Sequence, residues 1–65
     1  MGAGAIDEIV AELGRIAADA RGCAVLLRRS DAPKARDAAA LLDELAQLCE
    51  QAIGVAARLG RGPAS

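Results

Sequence analysis

Phenylalanine, tyrosine, tryptophan and histidine are all absent from these 65 residues, and so are threonine and asparagine. Without His, and with hydroxyls only on Ser30 and Ser65, a nucleophile cannot be paired with a base to activate it. No enzymatic activity and no cofactor are expected. Without aromatic residues, any core has to be built from Leu, Ile, Val and many Ala, so it is thin and its elements must approach closely. Eight Lys or Arg against nine Asp or Glu leave a formal charge of −1, which gives nucleic acid no electrostatic footprint. No apolar run reaches the roughly 20 residues of a membrane span. The start Met1-Gly2-Ala3-Gly4-Ala5 has no basic segment of a secretory signal, and Ile6 stands where a myristoylation signal wants Ser or Thr. The expectation is a soluble, cytoplasmic protein without a lipid anchor.

What the chain does have is apolar periodicity. Ile6, Leu13, Ala20 and Leu27 recur at one heptad position, and Ile9, Ile16 and Cys23 at another. Val10, Ala17 and Ala24 widen this stripe. Asp7, Glu8, Arg15, Arg21, Arg28 and Arg29 lie opposite, and Glu12, Arg15 and Asp19 are spaced to pair along the surface. The pattern predicts a helix over residues 5–29, after a flexible start at 1–4.

Ser30-Asp31-Ala32-Pro33 follows, with two side chains able to cap a helix and a proline that disfavours helical geometry before it. A turn is predicted at 30–33, with the choice between Ser30 and Asp31 as cap left open. A second helix is predicted over 34–59. Its core positions are Ala38, Leu45, Ala52 and Leu59 together with Leu41, Leu48 and Val55. Leu42, Cys49 and Ala56 flank these, and Ala39, Ala46 and Ile53 extend the arc. On this register, truncating Leu45 or Leu48 to Ala costs about 2 to 5 kcal/mol. Gly60, Gly62 and Pro63 end the helix and leave a flexible tail at 60–65. Asp7 and Glu8 open the first helix and Arg28 and Arg29 close it, in the sense the helix dipole favours.

The expected fold is therefore all-α: an antiparallel two-helix hairpin that completes a four-helix bundle or a heteromeric helical assembly. A hairpin this small is marginal alone, and helix 2 is apolar over an arc wide enough for two neighbours. The expected partner is a protein. The expected interface comprises Leu41, Leu42, Leu45, Leu48, Cys49, Ala52, Ile53, Val55, Ala56 and Leu59 of the second helix, with Ile9, Leu13 and Ile16 of the first.

Cys23 and Cys49 both fall on the apolar stripes and read as small hydrophobes. A turn near residue 32 puts Cys23 opposite about Ala40, roughly 13 Å along the axis from Cys49, too far for an intrachain disulfide. An interchain bridge stays open. Arg28, Arg29, Lys34 and Arg36 gather positive charge at the turn, mixed with Asp31 and Asp37. Gly14, Gly22 and Gly54 interrupt the helices, either for close approach of a partner or through drift on solvated faces.

The length, the central polar turn Arg29-Ser30-Asp31-Ala32 and a second helix running to Leu59 resemble the small E-component cochaperones of type III secretion needle proteins. That resemblance implies a hairpin bound to a larger helical-repeat chaperone, with the apolar arc of helix 2 as docking surface. The ending Ala57-Arg58-Leu59-Gly60 and the two cysteines are similar to Rop-type plasmid copy-number regulators. That likeness implies a homodimeric four-helix bundle that binds paired RNA loops. Asp7, Glu8, Glu12 and Asp19 on the polar side of helix 1 favour its dimer implication over its RNA implication.

Overall fold

Two helices of equal length form the molecule: α1, Ala3–Arg28, and α2, Ala35–Gly60, each of 26 residues. The computed structural model describes residues 3–60; residues 1–2 and the expected tail from 61 onward lie outside the described part. The helices pack antiparallel along their whole length, and among the described residues there is no strand. The radius of gyration is 15.2 Å, against about 11 Å for a compact fold of this length, and the extents are 53 × 16 × 12 Å. A rod of this shape has no interior apart from the seam between its helices.

The structure moves the predicted core. On α1 the inward residues are Ile6, Val10, Leu13, Ala17, Ala20, Ala24 and Leu27, and on α2 they are Ala35, Ala39, Leu42, Ala46, Cys49, Ile53, Ala56 and Gly60. Each series alternates steps of three and four residues, as an antiparallel coiled-coil seam requires. Val10, Ala17 and Ala24, read from the sequence as a widening of the stripe, are half of the α1 seam itself. Ile9, Ile16 and Cys23, read as core, are exposed. On α2 the displacement is larger: Leu41, Leu45, Leu48, Val55 and Leu59 are exposed, while of the series read as the edge of the arc Ala39, Ala46 and Cys49 are buried and Leu42, Ile53 and Ala56 half-buried.

Size explains the choice. Ala24, Ala39 and Ala46 are wholly buried, and no large side chain of the described residues is. Small residues on both sides let the backbones approach, and a leucine at these points would hold them apart. The helices thus gain close backbone packing and leave their largest apolar groups outside. Each buried Ala removes about one methyl group from water, on the order of 0.8 kcal/mol, which is less than the roughly 1 to 2 kcal/mol of backbone entropy lost per residue.

Both helices start and stop somewhat differently from the sequence reading. Ala3 and Gly4, expected to be flexible, are helical, so Asp7 and Glu8 lie past the first turn, where the helix dipole has largely decayed. Gly60, expected in the tail, is the last residue of α2, and a Cβ there would stand 2.8 Å from Ile6 Cγ2. Only glycine lets the end of α2 settle on Ile6. The turn is one residue longer at each end than expected. Arg29 and Ser30 amides donate to the Leu26 and Leu27 carbonyls at 3.2 and 3.0 Å, closing α1 with a tight final turn. Ser30 Oγ accepts from the Ala32 amide at 3.1 Å, so the hydroxyl shapes the turn instead of capping α2. The Ala35 amide then bonds the Ala32 carbonyl, and Ala38 bonds Lys34, after Pro33 has supplied the bend.

Two outcomes test this packing. Ala46→Leu, inserted where no space exists, lowers stability by about 1 to 3 kcal/mol in chemical denaturation, and an unchanged midpoint places the seam elsewhere. Gly22 has nothing within 4 Å of where its Cβ would be, so Gly22→Ala raises stability by about 0.4 to 1 kcal/mol in the same experiment.

Candidate protein-binding face

Once the seam is fixed, each helix has two flanking positions, and in an antiparallel pair like flanks face each other. One flank is ionic. Arg21 donates to Glu50 at 2.8 Å across the helices, and Arg28 pairs with Asp43 in the same way one heptad away. Hydrogen bonding to Glu50, and then its negative charge, push the Arg21 pKa up. A raised pKa on a cation keeps the charged form, and whatever stability it brings, through every pH below the arginine range. It is lost only as pH rises through the shifted value, so this cation titrates nowhere near neutrality. Both pairs are solvated, so they bring orientation more than stability. The expected pairing along α1 is present between Arg15 and Glu12.

The other flank is apolar on both helices. α1 presents Ile9, Ile16 and Cys23 there, and α2 presents Ala38, Leu45, Ala52 and Leu59. The next row out on the same side is Leu41, Leu48 and Val55 on α2, and Leu26 joins it on α1 near the turn. The large members of this face are between 39 and 68% exposed. The rows of Ile9, Ala38 and Leu41 carry no charged side chain; the outer row of α1, to which Leu26 belongs, also carries Glu12 and Asp19.

Set against this geometry, the predicted interface residues divide into two groups. Leu13, Leu42, Cys49, Ile53 and Ala56 are occupied by the partner helix of the hairpin and turn inward. Ile9, Ile16, Leu41, Leu45, Leu48, Ala52, Val55 and Leu59 are brought together on the open face. Leu45 and Leu48 are 43 and 61% exposed, so their truncation does not cost the hairpin what a core leucine would. Exposed Leu26 was absent from the sequence reading, as were the two interhelical ion pairs. Both follow from the heptad frame once Val10, Ala17 and Ala24 are recognised as seam positions.

Both thiols are free, and axial distance and direction both separate them. The packing of Gly60 on Ile6 sets a register in which Cys23 lies opposite about Asp43, six residues or roughly 9 Å along the axis from Cys49. The sulfurs are kept apart by direction: Cys49 is buried against Ala17, Ala20 and Ala46, whereas Cys23 is exposed. At the turn, Ser30, Asp31, Pro33, Lys34, Arg36 and Asp37 line a shallow hollow of mixed charge. Among the described residues no cluster of three His, Cys, Asp or Glu could hold a metal ion, and no helix is long and apolar enough to cross a membrane.

The ionic flank is tested by exchange. Arg21→Glu alone lowers the thermal midpoint by setting two carboxylates together, and adding Glu50→Arg restores it. A double variant no more stable than the single one shows that the two side chains do not meet. No family model, no curated protein and no solved structure matches the chain.

Proposed function

We propose that this chain is a non-enzymatic protein–protein interaction module of the cochaperone or scaffold kind, whose task is to cover its open apolar face with another polypeptide. The observation that carries this reading is the gathering of Ile9, Ile16, Leu41, Leu45, Leu48, Val55 and Leu59 on one side of a rod with an alanine seam. Chains that work alone rarely keep so continuous an apolar surface in water, and such surfaces usually mark sites of association. The seam contributes little burial, so the open face holds most of the apolar area that this sequence can still remove from water. Helix-on-helix docking suits it, because its rows repeat at helical spacing and run parallel to the rod. A sequence with no histidine and only two hydroxyl side chains supports binding over catalysis.

A photo-crosslinking amino acid at Leu48, installed in the full chain in cells, is expected to capture protein, while the same group at Arg15, outside this face, captures little. Equal capture from both positions, or none from Leu48, overturns the reading.

A further inference from the structure

We infer that the occupant of this face is a second copy of the chain, laid against it with each turn over the other copy's open end to make an antiparallel four-helix bundle. This deepens the interaction reading and rests on it. Four features of the hairpin favour self-association over a foreign partner.

The first is area. Seven large aliphatic side chains, each 39 to 68% exposed, extend over most of a 53 Å rod, comparable with the roughly 800 Å² per partner of a standard stable interface. The second is composition. The rows of Ile9, Ala38 and Leu41 hold no ionised group, the carboxylates Glu12 and Asp19 being confined to the outer edge of α1, so an equally apolar surface matches the centre of this face better than a charged partner does. The third is length. Both helices have 26 residues, so two copies end flush, with neither left overhanging in water. The fourth is closure. The opposite flank is sealed by Arg21–Glu50 and Arg28–Asp43, so each copy has one sticky side, and a two-fold pairing uses it up without growing further.

Charge sets the direction. At the turn, Arg28, Arg29, Lys34 and Arg36 outnumber Asp31, Asp37 and Asp43, the partner of Arg28, by one. Stacking two turns at the same end would put this excess positive charge together, whereas opposite ends place it over the end where Asp7 and Glu8 outnumber Arg58. In that arrangement α1 lies on α1, and the two-fold axis passes near the midpoint of Ala3–Arg28, beside Ile16. Ile16 then meets its own counterpart. Cys23 lies level with Ile9 of the other copy, and the two Cys23 residues are about 21 Å apart along the axis, well beyond disulfide reach.

Sedimentation of the full chain at micromolar concentration is expected to give twice 6.6 kDa. Leu45→Ser with Leu48→Ser is expected to halve that mass. As a readout that does not depend on how well that variant folds, mild oxidation of Ile16→Cys with Cys23→Ala is expected to yield a covalent dimer, while the unaltered chain yields none through Cys23. A single-chain mass for the unaltered protein overturns the proposal. So does a covalent dimer through Cys23 of the unaltered chain, the pattern of turns stacked at the same end, where every residue lies level with its own counterpart. If the chain sediments as a monomer and Leu48 still crosslinks to a different protein, self-association is overturned while the interaction reading stands. A monomer without crosslinks removes both.

Discussion

The small size of the side chains between the helices governs the rest of the structure. Ala17, Ala20 and Ala24 on one side and Ala35, Ala39 and Ala46 on the other allow a backbone approach that any larger residue would prevent. At these six points nothing bulky fits, and Leu13, Leu42 and Ile53, the larger seam residues between and beyond them, are only half-buried. The exposed leucines of α2 are the direct result of that exclusion. Local packing and global burial are usually satisfied by the same residues, but in this hairpin they are divided between two surfaces of the same rod.

That division separates folding from association in the sequence. Substitutions at the alanine positions act on the hairpin, whereas those at Leu41, Leu45 and Leu48 act on whatever lies across the open face. The two sets interleave at single-residue spacing along α2, so neighbours in sequence such as Leu45 and Ala46, or Leu48 and Cys49, serve different interfaces. Buried residues that seal the hairpin bring too little transfer energy to make it robust, and the stronger drive is held in reserve on the outside.

The all-helical class, the antiparallel pairing and the position of the turn were all legible from heptad spacing, from Pro33 and from the polar stretch around Ser30. The seam was not. Hydrophobicity ranks leucine above alanine, so a reading by periodicity gives the core to Leu41, Leu45 and Leu48 and the margin to Ala39 and Ala46. Close packing inverts that ranking, and periodicity alone cannot show it, because both stripes repeat every seven residues and differ only by rotation about the helix axis. The charges could have decided between them. Only with Val10, Ala17 and Ala24 in the seam do Arg21 and Arg28 fall on the flank that faces Glu50 and Asp43. The open face was half legible: most of its residues were named, but mixed with seam residues such as Leu42 and Ile53 whose apolar surface is already taken.

A row of alanines has a further consequence, because one methyl looks much like the next. If one helix slid past the other by a heptad, about 10.5 Å, many of the same small contacts would form again. The seam is therefore a poor ruler for its own alignment. Arg21–Glu50 and Arg28–Asp43 act as notches that fit at one offset only, and the meeting of Gly60 with Ile6 marks where sliding must stop. Interactions too weak to hold the rod together can still decide which of several nearly equivalent rods is made.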